Sequence, residues 1–327
     1  MSAEAQALPL GGFRHEAFLY DGTDDYATGA LGFIRDGLAA DEMVLVAVPP
    51  ANADVLRDGL GPDGREQHAN GGGSQVRFLD MTEVGRNPGR LIPLWLEFVA
   101  LNLRAGCTVR GIGEPIWAAR SAAEVLECQW HESLLNLAFA NAPLFPLMCP
   151  YDRATLDPAV LEEACRSHPY LLQGGVYSDS AFYRGAPAPD SDLDSPLPAP
   201  PASAVSLGFS TGELSRVRAA VHTAAAAHDL DRHRIVDLVT AVNEVATNSL
   251  RHGGGHGTLH AWSGPNALVF EVSDGGRIGQ ALAGRRPTAI GAVGGRGLWL
   301  VHQLCDLVEV RSGARGTTVR MSAYLSL

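Results

Sequence analysis

Glu244 and Asn248 stand four residues apart, and three glycine-bearing turns follow them in order: Asp274-Gly275-Gly276, Gly294-Gly295-Arg296-Gly297 and Gly316-Thr317-Thr318. Four residues is about one helical turn, so the carboxylate and the amide share one face of a helix. Asp274 closes an apolar run (Leu268–Val272), where a carboxylate can accept a hydrogen bond from an exocyclic amine such as adenine N6. Gly276 beside it lets backbone approach a ligand closely. Gly294, Gly295 and Gly297 lead into an apolar helical pattern (Leu298, Leu300, Val301, Leu304), and the free N–H groups of such a helix start form an anion site suited to phosphates. Thr317 and Thr318 add two hydroxyls at the opening of the last strand. Taken singly, each piece is ordinary turn or helix chemistry. Their order and spacing read as a nucleotide pocket built for phosphotransfer.

A helix must position the first pair. Over Asp231–His252, Ile235, Leu238, Val239, Val242, Ala246 and Leu250 fall on one stripe at 3.6-residue periodicity. Glu244 and Asn248 lie about 180° and 220° from Ile235 around the axis, opposite that stripe. Packing the stripe on a sheet therefore displays both polar groups on the other side. Around this helix the pattern predicts a helix at Glu213–His228, strands at Thr258–Trp262 and Leu268–Ser273, a helix at Gly297–Cys305, and paired strands at Leu307–Ser312 and Thr317–Ala323. Helices segregated from a mostly antiparallel sheet make a two-layer α/β sandwich.

Composition narrows the chemistry further. All 25 basic residues are arginine and the 327-residue chain has no lysine, which excludes a Walker lysine, a Schiff base and a protein-kinase strand lysine. Residues 1–204 carry 13 Arg against 27 acids, whereas residues 205–327 carry 12 Arg against 9. An acidic half without a basic stripe argues against direct nucleic-acid binding, and a mildly basic C-terminal part suits a polyanionic ligand. The five cysteines form no C-x-x-C pair, which argues against a disulfide framework or a zinc knuckle and favours buried reduced thiols. No segment reads as a secretion signal or a membrane span, so a soluble cytoplasmic protein is expected.

Gly185–Val205 contains six prolines with Ala, Ser and spaced aspartates, and reads as an extended, solvated linker. It separates a domain at 13–184 from one at 206–327. Upstream, strands at Met43–Val48, Val76–Leu79, Val109–Ile112 and Leu144–Cys149 alternate with helices at Tyr26–Leu38, Asn52–Leu60, Gly89–Leu103 and Ala122–Ala140. That alternation predicts a mostly parallel sheet with helices on both faces.

On these boxes, residues 206–327 resemble the GHKL (Bergerat) ATPases, which include histidine-kinase catalytic domains, gyrase-type ATPases and anti-sigma-factor serine/threonine kinases. Glu244 and Asn248 match the N box, Asp274 and Gly276 the D-x-G box, Gly294, Gly295 and Gly297 the second glycine box, and Thr317 or Thr318 the closing-strand threonine. The resemblance implies ATP and Mg²⁺ as cofactors, with Asn248 holding Mg²⁺ between the phosphates, Asp274 reading adenine and Gly295–Gly297 forming the phosphate-side lid. The short Arg277–Val293 segment is similar to that of the anti-sigma-factor kinases, where Glu244 would be the base for a partner's serine or threonine. The implied partners are a sigma factor, an antagonist protein, or both. Related kinases pair, so a homodimer is an expectation of the resemblance. The lid at Gly279–Gly295 is expected to move. Arg285, Arg286 and Arg296 read either as γ-phosphate contacts or as exposed surface arginines. Histidine autophosphorylation and a non-catalytic ATP-binding switch remain the alternatives.

Residues 13–184 resemble the MEDS sensory domain through His15-Glu16-x-x-x-Tyr20, Gly113-Glu114-Pro115-x-Trp117, Glu127-x-x-x-His131-Glu132, Cys149-Pro150-Tyr151-Asp152 and His168-Pro169. The resemblance implies a RecA-like layer without a phosphate loop and an unknown ligand. Glu124, Glu127 and His131 share a helix face, and with His15, Glu114 and Cys149 they are candidates for a ligand or metal pocket, against a surface ion pair on an ordinary capped helix. His15 and His131 are also the two candidate phosphoacceptors, and neither is followed by a helical hairpin.

Overall fold

The computed structural model describes residues 12–61, 74–142, 144–185, 196–228, 230–286 and 296–325. It divides into two compact units, residues 1–85 with 94–187, and residues 86–93 with 188–327.

The first unit is built on a seven-stranded sheet. Its strands are β1 (Phe13–Tyr20), β2 (Met43–Val48), β3 (Val76–Asp80), β4 (Val109–Gly113), β5 (Phe145–Asp152), β6 (Tyr170–Gln173) and β7 (Val176–Asp179), in the order β3-β2-β4-β5-β1-β6-β7. All pairs are parallel except β6 with β7. Strand β1 sits inside the sheet between β5 and β6, a place its unbroken run of buried residues from His15 to Tyr20 suits. Parallel strands buried on both faces need crossovers, and the helices supply them. Ile112 and Met148 pack with α1 (Gly22–Ala39) and α2 (Pro50–Leu60) in one core. Gly111 and Gly113 instead face Trp95 of α4 (Leu91–Arg104), so the other face is covered too. On that side lie α5 (Ala122–Ala138), started by a reciprocal Ser121–Glu124 capping box, and α6 (Pro158–Ser167), which the sequence reading lacked. A single helical turn, α3 (Met81–Val84), follows β3.

The second unit holds a five-stranded antiparallel sheet in the order β11-β12-β10-β9-β8. Its strands are β8 (Val205–Ser210), β9 (His256–Ser263), β10 (Ala267–Asp274), β11 (Leu307–Gly313) and β12 (Gly316–Tyr324). Helices α7 (Leu214–Ala226), α8 (Arg232–His252) and α9 (Arg296–Leu304) bury their apolar faces against Leu268, Phe270, Val272, Val319 and Met321. The two-layer α/β sandwich is therefore present. Edge strand β8 is an addition, because the proline-rich reading ran to Val205, where the strand begins.

Residues 86–93 complete this unit. Asn87 Nδ2 donates to the carbonyls of His302 and Cys305, at 3.0 and 3.1 Å. Arg90 donates to the carbonyls of His302, Gln303 and Cys305, at 2.8 to 2.9 Å. The last carbonyls of a helix have no partner within it, and these side chains satisfy those of α9. The expected helix at Gly89–Leu103 accordingly starts later, at Leu91, after a 3₁₀ turn over Pro88–Arg90.

Candidate functional site

Helix α8 carries the first elements of the site. Asp231 caps it by accepting from Arg234 N at 2.9 Å. Leu238, Ala241, Val242, Val245, Ala246 and Ser249 are its buried residues, while Ile235, Val239 and Leu250 flank the core partly buried. Glu244 and Asn248 are half-buried on the side away from this stripe.

Gly297, the second residue of α9, lies directly against them. A methyl group built on its Cα would stand 3.0 Å from Glu244 Oε2 and 3.2 Å from Asn248 Nδ2. The free N–H end of α9 thus meets the carboxylate and the amide of α8. Gly294 and Gly295 lie outside the described residues, as does the expected mobile segment beyond residue 286. Of the three arginines, Arg286 and Arg296 are exposed, whereas Arg285 is buried and is no surface residue.

Asp274 ends β10 within a second constellation. Its Oδ2 accepts from Ser249 Oγ of α8 at 2.6 Å, and its Oδ1 accepts from the backbone N–H of Gly276 at 2.7 Å. Thr317 Oγ1 donates to the Gly276 carbonyl at 2.9 Å and lies 2.8 Å from Ser312 Oγ. Asp274 and Thr317 are also register partners across β10 and β12, with Ser273 opposite Thr318. Gly276 packs on His252 O and the Asp274 carboxylate, where a side chain would collide. Gly316 adopts φ +113° in the β11–β12 turn with its Cα pressed on the Asp274 carbonyl, so glycine is required there. Each Asp274 oxygen keeps a free lone pair for a ligand donor.

The structure therefore gathers the predicted residues into two groups, Glu244, Asn248 and Gly297 in one and Asp274, Gly276 and Thr317 in the other. Ser249 joins α8 to the second group. Sequence reasoning missed Ser249, Ser312 and Gly253, whose Cα packs directly against the Asp274 carboxylate. Ser249 directly follows Asn248 but reads as part of the core stripe, and its bond to Asp274 crosses 25 residues.

A cleft of ≈ 620 Å³ touches Asp274 and Thr317 but none of Glu244, Asn248 and Gly297. It is lined by Glu271 and Ser273, which alternate with the helix-facing residues of β10, and so opens on the opposite face of the sheet. Pro196–Pro200 form its rim, and Arg320 donates to the Pro198 carbonyl at 2.5 Å. This part of the proline-rich segment meets the sheet through that donor of β12, while Pro196, Pro198 and Ala199 are themselves exposed.

In the first unit, the six residues grouped as one candidate pocket separate. Glu124 is spent in the α5 cap, and Glu127 and His131 are each 1% exposed, so a surface ion pair is ruled out. Glu114 accepts from Asn52 Nδ2 at 2.9 and 2.8 Å and from Tyr20 O–H at 3.3 Å. Burial pushes its carboxyl up to about 8, against the pull of those donors. His15 and Cys149 do meet, but in the company of Glu132 and His168. With His15 at 0% and His131 at 1% exposure, neither candidate phosphoacceptor is presented at the surface.

Comparison with known proteins finds a family similarity for each half of the chain. The family described as "MEDS: MEthanogen/methylotroph, DcmR Sensory domain" matches residues 14–169. The family described as "Histidine kinase-like ATPase domain" matches residues 210–323. No curated protein matches the chain. Among solved structures, the chain is similar to the RsbU and RsbW domains of Rv1364c from Mycobacterium tuberculosis, at 22% identity and a TM-score of 0.28, over 38% of this chain. The match spans about a third (33%) of the length of that chain. Among the described residues, no helix is long and apolar enough to cross a membrane.

Proposed function

We propose that this chain, a MEDS sensory domain joined to a histidine kinase-like ATPase domain, is an ATP-dependent regulator of the anti-sigma-factor type. In this reading its C-terminal domain, residues 206–327, binds Mg·ATP and transfers phosphoryl to a serine or threonine of an antagonist protein, sequesters a sigma factor, or does both. Residues 13–184 control it in response to a ligand. The observation that carries the reading is the contact of Gly297 with Glu244 and Asn248, because it sets an anion-binding helix start against a carboxylate and an amide.

The residues present fit such a ligand. Asn248 offers an amide oxygen for Mg²⁺, and the chemistry that ion supplies is neutralisation of phosphate charge. The backbone N–H groups at Gly297 and the start of α9 orient the phosphates. Asp274, fixed by Ser249 and Gly276, accepts from the adenine amine, and Thr317 holds the Gly276 turn in place. Thr318 lies at the adjacent register position. Glu244 Oε2, beside Gly297, takes the proton of the attacking hydroxyl. None of these roles needs a lysine, and the chain has none.

The test is incubation of the full chain with γ-labelled ATP and candidate antagonist proteins. Acid-stable label on an antagonist supports the kinase. Acid-labile label on the chain itself would make it a histidine kinase, and ATP binding without label would make it a binding switch. Asn248→Ala is expected to abolish Mg·ATP binding. Glu244→Ala should keep ATP and lose phosphotransfer by about 10²- to 10⁴-fold.

A further inference from the structure

Four side chains that lie far apart in sequence converge inside the first unit. His15 comes from β1, Cys149 from the neighbouring strand β5, Glu132 from α5, and His168 from the end of α6. The β1–β5 register pairs His15 with Leu147 and Ala17 with Cys149, so His15 and Cys149 point to the same face of the sheet. All four side chains are buried, none more than 1% exposed. One ligand atom from each lies within 4.8 Å of every other.

The hydrogen bonds fix which atoms face inward. Asn136 Nδ2 donates to the Ser167 carbonyl at 2.7 Å, which leaves Asn136 Oδ1 as the acceptor for His15 Nδ1–H at 3.2 Å. His168 Nδ1 faces the Ala164 carbonyl at 2.8 Å, and a carbonyl only accepts. Both imidazoles therefore carry their proton on Nδ1 and turn a bare Nε2 toward the cluster. There they meet Glu132 Oε2, at 3.0 Å from His15 and 3.4 Å from His168. Cys149 Sγ stands 3.4 Å from His15 Nε2 and 3.3 Å from Glu132 Oε2. Two lone pairs, a carboxylate and a sulfur face one another, and the thiol holds the only proton among them. His168 Nε2 and Glu132 Oε1 have no hydrogen-bond partner despite complete burial.

We propose that His15, Glu132, Cys149 and His168 form a closed four-ligand site for a divalent transition-metal ion, Zn²⁺ by its donor set. Loss of the thiol proton on binding leaves a thiolate and a carboxylate, whose two charges cancel those of the ion, so the buried centre is neutral. Ligand bonds of about 2.0–2.3 Å in a tetrahedron give ligand–ligand edges of roughly 3.3–3.7 Å. Four of the six separations, 3.0, 3.3, 3.4 and 3.4 Å, lie close to those edges, and all six are within 4.8 Å, so side-chain rotation has to close the remainder. Zn²⁺ accepts imidazole nitrogen, thiolate sulfur and carboxylate oxygen alike, and four protein ligands fill its tetrahedral coordination without an open position. The Nδ1–H bonds to Asn136 and Ala164 are the outer contacts that hold ligating histidines in place.

The test uses the full chain, purified, stripped with chelator and titrated with Zn²⁺ alone or Co²⁺ alone, with metal content read by mass spectrometry. One equivalent of Zn²⁺ per chain is expected, with Co²⁺ giving thiolate-to-metal charge-transfer absorption. Cys149→Ser should lose that absorption, and His168→Gln should bind Zn²⁺ at least about ten-fold more weakly. Failure of the parent chain to bind either ion stoichiometrically overturns the site, whatever the variants do. Charge-transfer absorption that survives in Cys149→Ser also overturns it, since another thiol would then be the ligand. Stoichiometric iron or copper in preference to Zn²⁺ overturns the assignment of the ion.

Discussion

Replacing Gly297 by alanine separates a glycine kept for ligand approach from one kept for the fold. Gly297 is not among the residues with positive φ, so its backbone conformation is open to any residue. The added methyl would stand 3.0 Å from Glu244 Oε2 and 3.2 Å from Asn248 Nδ2, and both are side-chain ends that can yield by a few tenths of an ångström. Against that small strain, alanine in place of glycine favours a helix by roughly 0.5–1 kcal/mol. The melting behaviour of the second unit should thus change by no more than about 1 kcal/mol. Nucleotide binding should respond differently, because the methyl fills the space between the helix start and the residues proposed to hold the phosphates and Mg²⁺. Losing one charge-assisted hydrogen bond costs about 1.5–3 kcal/mol. That corresponds to affinity roughly ten- to a hundred-fold weaker. Isothermal calorimetry with Mg²⁺ and a non-hydrolysable ATP analogue measures the affinity, and a thermal melt of the same sample measures the fold. Parental affinity in Gly297→Ala would refute the placement of phosphates at this contact. Loss of affinity together with collapse of the fold would show the glycine to be structural instead.

Three further outcomes follow from the same geometry. Ser249→Ala removes the 2.6 Å donor to Asp274 Oδ2 from a fully buried position. It should cost about 1–3 kcal/mol in denaturant unfolding and weaken nucleotide binding in calorimetry. Arg90→Ala strips three donors from the last carbonyls of α9. A loss of about 2–4 kcal/mol is expected, and an unchanged urea midpoint would show that water replaces the arginine without cost. Glu114 gives a pH effect. Burial raises its folded-state carboxyl to about 8 from the ordinary 4.5, so its stabilising contribution is complete below that lower value and is lost as pH rises toward 8. Melting of the first unit should therefore fall across that window, by up to about 1.4 kcal/mol per pH unit, and Glu114→Gln should flatten the slope.

Much of the ATPase-like unit was legible because its signals are local. The stripe of α8, the apolar run of β10 and the glycines at residues 276, 297 and 316 each report on a neighbour within a turn or a strand. Strand β8 was hidden because its residues are mostly exposed, with only Phe209 buried, and it follows a run of prolines. The central place of strand β1 was hidden for a different reason. Its place between β5 and β6 depends on crossovers more than a hundred residues long, which leave no mark in its own sequence.

By itself the sequence determined the arginine-only charge, the four ordered boxes and the division into an acidic and a mildly basic half, because composition and short-range periodicity are properties of the chain. It also named His15 and Cys149 as ligands in search of a site. Only the tertiary structure decided their partners. Glu127 and His131, one helical turn apart, gave the visible pair. Yet the buried cluster uses Glu132 and His168, because α5 turns Glu132 toward β1 and β5 while α6 ends beside them. Helical spacing says which residues share a face. Which face meets which strand is fixed only when the sheet order brings residues 15, 132, 149 and 168 into one buried volume.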